Sequence, residues 1–145
     1  MSQFENITTL SELEAKKAEL LANGATEIEI KDFQTELQFA DAEKKYETAI
    51  VNHNKSGYHT YIFICDNGMS CLLKEPTVTI SAKIVPYMTA MMGGEPDFVK
   101  AAKMLVNECW IAGDAEIRKS EDLSVEVGMQ ALHTVQIKVA KSKKK

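Results

Sequence analysis

The chain has 145 residues, 45% of them apolar and 26% charged, which suits one domain with a sizeable core and excludes wholesale disorder. A formal net charge of −4 argues against a generally basic nucleic-acid-binding surface, and no apolar run approaches the ~18 residues of a membrane span. Three cysteines, with an opening "MSQFENITTL" that lacks the basic and apolar regions of a signal peptide, read as reduced thiols in a cytoplasmic protein.

The first periodic segment, "TTLSELEAKKAELLANG", predicts a helix. Ser11 and Glu14 have capping-box spacing, Thr8 and Thr9 are alternative caps, and Gly24 is the stop. In "TEIEIKDF" the alternation of Glu27 and Glu29 with Ile28 and Ile30 predicts a short half-buried strand. The next segment fits two readings. Ala42, Tyr46, Ala49 and Ile50 have helical spacing, whereas "YETAIVNH" also fits a strand over Glu47 to His53, followed by a hairpin turn at "HNKSG". The strand is the reading taken. Tyr58 to Cys65 is rich in aromatic and β-branched residues, "DNG" at Asp66 to Gly68 is a hairpin turn, "SCLL" returns, and Pro76 ends the strand.

Beyond Pro76 the period becomes helical. "TVTISAKIVPYMTAMMGG" predicts a helix broken or kinked near Pro86 and stopped by Gly93 and Gly94. "EPDFVKAAKMLVNECWI" predicts another, with Pro96 in its first turn and Phe98, Ala101, Leu105 and Cys109 as its apolar stripe. A last helix runs from about Glu121 towards Val139, with Val125, Met129, Leu132, Val135 and Val139 on one face. The fold class is α+β: a small antiparallel sheet in the N-terminal half and a helical C-terminal half. The expected organisation is a single domain over 1–145, with an N-terminal helix over 1–24, mainly β structure over 25–76, helices over 77–140 and a basic disordered tail over 141–145.

Few constellations carry chemistry. "NECWIAGDAEIRKS", Asn107 to Ser120, is the most site-like, with Cys109, Trp110, Gly113, Asp114 and Arg118. Nucleophilic catalysis needs a thiolate with a base in reach, and His133 is the one histidine in the helical half. Packing is the simpler use of Cys109. Asp114, Glu116, Glu121 and Asp122 are plentiful acids, but Asp114 after Gly113 has the position of a helix N-cap, as does Ser120 or Asp122 before the last helix. His53, His59, Cys65 and Cys71 recur every six residues and invite a zinc reading. On one strand His59 and Cys65 would stand ~20 Å apart at ~3.3 Å per residue, and no CxxC-type loop is present. No catalytic residue, metal site or cofactor is therefore assigned. The tail "KSKKK" reads as a solvated end rather than a phosphate-binding arm. Met88, Met91, Met92, Met104 and Met129 all fall in the helical half, where methionine suits either a core or a surface that repacks against a partner.

From Tyr61 to Lys145 the chain resembles small tail assembly chaperones of bacteriophages and prophages. The resemblance rests on a strand ending in "LLKEP", a helix, a second helix running into "LVNECWIAGDAEI", and a last helix with a basic end. The first sixty residues carry no such likeness. The resemblance implies a non-enzymatic protein in the host bacterial cytoplasm. Such a protein binds the long tape measure protein during virion assembly and self-associates into homo-oligomers. Met91, Met92, Phe98 and Trp110 are the candidate partner-binding residues. The rival readings are a small Cys-dependent enzyme and a nucleic-acid-binding module using the lysine tail.

Overall fold

The computed structural model describes residues 3–89 and 95–134. The chain divides into two compact units, 1–45 and 46–145, and the α+β class expected above is observed.

In the first unit, α1 (Leu10–Ala22) starts at Thr9, whose Oγ1 accepts the Glu12 N–H at 3.1 Å. Glu12 reaches back to the Thr8 N–H at 3.2 Å, so the cap lies two residues earlier than the Ser11–Glu14 spacing suggests. The helix ends in a Schellman motif. Gly24 takes φ +96°, its N–H donates to Leu21 O, and the Ala25 N–H donates to Leu20 O at 3.0 Å.

The residues expected as a strand from Glu27 are instead α2 (Glu27–Lys45). A reciprocal capping box forms it: the Glu29 N–H donates to Thr26 Oγ1 at 3.1 Å, and the Glu29 carboxylate accepts the Thr26 N–H at 3.4 Å. Ile30, Phe33 and Leu37 then fall on one helical face against Ile7, Leu13, Leu20 and Ala25. Ile28, the other half of the alternation, is 74% exposed. Two isoleucines two apart were too short a sample to separate a period of 2 from one of 3.6.

The second unit begins at Tyr46 and continues into α3 (Glu47–Lys55), again helix where a strand was expected. "HNKSG" is a second Schellman stop rather than a hairpin turn. Gly57 has φ +85°, and the Tyr58 N–H donates to His53 O at 3.0 Å. β1 (Thr60–Ile64) and β2 (Ser70–Lys74) pair antiparallel, with Phe63 opposite Cys71 and Tyr61 opposite Leu73. The expected "DNG" turn joins them. The Gly68 N–H donates to Cys65 O at 2.9 Å, and Asn67 Oδ1 accepts the Met69 N–H at 2.9 Å.

After Pro76, Thr77 caps α4 (Val78–Thr89) through the Ile80 N–H at 3.2 Å. The helix runs through Pro86 to Thr89 rather than breaking there, although proline leaves the Ala82 carbonyl without its i+4 donor. The stop assigned to Gly93 and Gly94 lies outside the described residues. Asp97 caps α5 (Phe98–Cys109) by accepting the Lys100 N–H at 3.0 Å.

The chain then leaves the helix at Trp110 into β3 (Trp110–Gly113), which pairs antiparallel with β2 and completes a sheet of order β1-β2-β3. The sequence reading, which ran the helix on through Trp110 and Ile111, missed this strand. Gly113 has φ +145°, and a Cβ there would lie 2.6 Å from Cys71 Cα, so only glycine lets β3 close on β2. α6 (Ala115–Lys119) and α7 (Glu121–Thr134) follow, with Ser120 capping α7 through the Leu123 N–H at 3.3 Å.

One face of the sheet, with Phe63, Cys65, Cys71 and Leu73, forms the core with Ile84, Leu105, Val106, Ile117 and Val127. The buried stripe of α7 is Ser124, Val127, Gly128 and Ala131. The face expected from Val125, Met129 and Leu132 is only half-buried, and Val135 and Val139 lie outside the described residues. The small stripe has a physical reason. At Gly128 a Cβ would meet the Ala102 carbonyl oxygen and, at 2.6 Å, the Ala102 Cβ. α5 and α7 therefore approach closely enough that a larger aliphatic face has no room.

Candidate functional site

α5 separates two of the expected site residues, with Phe98 at its start and Trp110 just past its end. Ala101, Ala102, Leu105, Val106 and Cys109 form its buried stripe. Phe98 and Val99 continue that stripe backwards by one helical turn, since they stand three residues before Ala101 and Ala102. They overhang the packed region and are 45% and 46% exposed.

The end of α4 lies against this overhang. The Asp97 N–H donates to Tyr87 O at 2.7 Å, and Lys100 Nζ stands 4.5 Å from the centre of the Tyr87 ring. Tyr87 and Met88 are half-buried there, while Glu95 and Asp97 are exposed. The corner thus combines two exposed apolar side chains with a charged rim of Glu95, Asp97 and Lys100.

Trp110 is at the other end of α5, about 18 Å from Phe98 at 1.5 Å per residue. It is half-buried against the core, opposite Leu73 in the sheet, with the Arg118 guanidinium 5.3 Å from its ring centre. Phe98 and Trp110 are therefore not one patch. Met91 and Met92 lie outside the described residues, as does the lysine tail. Val99 was not singled out in the sequence, although its spacing to Ala102 signals it.

The cysteines are packing residues in this conformation. Cys65, Cys71 and Cys109 are all buried free thiols. Burial pushes Cys109 up to about 11, and pushes Cys65 and Cys71 up to about 12. For Cys65 the Glu126 carboxylate adds to that effect, and for Cys71 the Asp114 carboxylate does. A Cys109 thiol that is protonated at neutral pH and closed to solvent is a poor nucleophile. His133, its suggested base, is exposed near the end of α7.

The acids resolve differently. Asp114 stands at the N-cap position of α6 but makes no side-chain cap bond to it. Its Oδ2 instead accepts the Ser70 N–H at 2.9 Å, and its own N–H donates to Ser70 O at 3.0 Å. Tyr46 Oη donates to the same Ser70 carbonyl at 3.1 Å and lies 2.8 Å from Ser70 Oγ. The triad ties the start of the second unit to the β2–β3 joint. Glu121 pairs with Lys103 at 2.6 Å on the surface, and that contact lowers its carboxyl below the usual range.

For zinc, His53 lies on α3 with its Nδ1 3.2 Å from Ala49 O, and His59 is exposed before β1. Among the described residues, no three His, Cys, Asp or Glu side chains are placed to hold a metal ion. No helix among them is long and apolar enough to cross a membrane. In the first unit, a cavity of about 280 Å³ between α1 and α2 has Leu10, Leu13 and Ile30 as its apolar lining and Ser11, Glu14, Lys17 and Gln34 as its polar one.

Compared with protein-family models, with curated proteins and with solved structures, the chain shows no match.

Proposed function

We propose that this protein is an interaction protein of phage tail assembly, a chaperone that holds an apolar segment of a tape measure partner in the host bacterial cell. The observation that carries the reading is the overhang of the α5 stripe. Phe98 and Val99 are solvent-exposed at its first turn, beside Tyr87 and Met88. An amphipathic segment with apolar residues three or four apart would extend the α4–α5 packing over this corner, and a basic flank would meet Glu95 and Asp97. The resemblance of residues 61–145 to tail chaperones supports the same class. The inaccessible Cys109 thiol weakens the Cys-dependent alternative.

Co-expression with the cognate tape measure protein tests the proposal. The soluble yield of that partner should rise several-fold, and Phe98→Asp with Val99→Asp should abolish the gain while leaving the circular dichroism spectrum unchanged. No gain from the native chain would overturn the reading.

A further inference from the structure

We infer that the outer edge of β1, which pairs with no other strand among the described residues, is a dimerisation edge, on which a second copy of this chain adds its own β1 antiparallel across a two-fold axis at Ile62. Self-association is already implied by the chaperone resemblance; the strand edge and the register are new, and they rest on hydrogen-bond geometry without that resemblance.

The hydrogen-bond pattern assigns the edge. The Cys65 N–H donates to Met69 O at 2.8 Å, and the Glu75 N–H donates to His59 O at 2.9 Å. In an antiparallel pair the residues that exchange bonds alternate with residues whose backbone groups point away. With the pairing of Thr60 to Lys74 and Ile64 to Ser70, the odd positions of β1 therefore bond to β2. The N–H and C=O groups of Thr60, Ile62 and Ile64 face outward, and among the described residues none of them has a recorded partner.

The two edges of the sheet differ. β3 is four residues long, is irregular in register opposite Leu72 and Leu73, and ends in Gly113 at φ +145°. Shortness, a bulge and a glycine are devices that blunt an edge. β1, "TYIFI", has none of them: no charge, no proline, no glycine and an unbroken register over five residues. Its side chains are mostly half-buried, whereas four of five in the central strand β2 are buried.

One open edge and one blunted edge favour a closed two-fold pair over a head-to-tail filament. Pairing centred on Ile62 sets Ile62 opposite itself and Thr60 opposite Ile64, which aligns every outward donor with an outward acceptor. It places Asp66 opposite Tyr58, so no like charges meet. The two three-stranded sheets would then form one continuous sheet across the axis.

The test is sedimentation equilibrium on the full chain with three variants. The native chain should show a concentration-dependent dimer. Ile62→Pro removes an outward N–H and is tolerated at an edge position, so it should leave a folded monomer. Thr60→Lys with Ile64→Lys sets like charges opposite each other twice across the axis. Thr60→Lys with Ile64→Glu sets opposite charges there. The Lys/Glu chain should dimerise at least about tenfold more tightly than the Lys/Lys chain, a contrast that a merely structural effect of the substitutions would not produce. The Ile62 amide should exchange slowly in the dimer and quickly on dilution. A native chain that stays monomeric up to about 1 mM would overturn the inference. So would a dimer indifferent to the sign of the charge, or an Ile62 amide protected at every concentration, which would mean that the edge is covered within one chain or by a different strand.

Discussion

Helices α1 and α2 meet through long side chains, whereas α5 and α7 meet almost backbone to backbone. The first pair shares a core in which Ile7, Leu13, Leu20, Ala25 and Ile30 are buried, edged by Phe4 and Phe33 with ring centres 4.7 Å apart. The second pair closes at Ala102 and Gly128 and sits within a core that also takes in β1, β2, α4 and α6. Long flexible side chains can rearrange around a defect. A seam in which one added carbon collides with a carbonyl cannot. Tolerance of substitution should therefore differ sharply between the two units, and that difference can be measured.

The largest effect is expected at Leu105, which is 1% exposed in the middle of α5. Leu105→Ala should destabilise residues 46–134 by about 4 kcal/mol in denaturant unfolding, because the closely packed surroundings cannot collapse into the space. Gly128→Val should cost about 3 kcal/mol by forcing α7 away from α5, and hydrogen exchange should show the loss in those two helices while α1 and α2 keep their protection. Leu13→Ala should cost about 2 kcal/mol, the low end for a buried leucine, because α2 can settle towards α1. If it cost as much as Leu105→Ala, the contrast would fail. Gly24→Ala should cost about 1 kcal/mol through the left-handed C-cap and should speed exchange only near the end of α1.

The last effect is one of pH; it is absent near neutrality, and only its direction is expected. The three thiols are held at about 11 to 12 in the folded state against an ordinary value of 9.0. The unfolded chain therefore releases those protons first. Their contribution to stability is complete below pH 9 and is lost as pH rises towards 11 to 12. All three cysteines lie in the second unit, so the thiol contribution should weaken that unit and not α1–α2, and Cys71→Ala should flatten part of the alkaline slope.

Local chemistry made the "DNG" hairpin, the Gly24 stop, the Pro76 strand end and the helical character beyond it legible, because each depends on residues adjacent in sequence. The failures came where tertiary context decides between two local fits. "TEIEI" alternates, yet Thr26 and Glu29 form a capping box directly after a glycine stop, and that signal outweighs a short alternation. "YETAIVNHNKSG" ends in the same kind of stop at Gly57. β3 was hidden because "WIAG" follows a strong helical stripe without a breaker, and only pairing with β2 makes it a strand. Of the candidate site, Phe98 could be picked out from its composition and place. That it is exposed while Cys109, on the same stripe, is sealed follows from where the packed neighbours of α5 stop. No sequence period states that.

The sealed cysteines also bear on how this protein can be studied. A reagent that labels surface thiols should leave the folded native chain essentially untouched, so no cysteine has to be removed beforehand. A thiol introduced at Val99 or Thr60 would react far ahead of the others. Crosslinkers and fluorophores could then report on the α5 corner and on the β1 edge one at a time, in a chain whose core keeps its native packing.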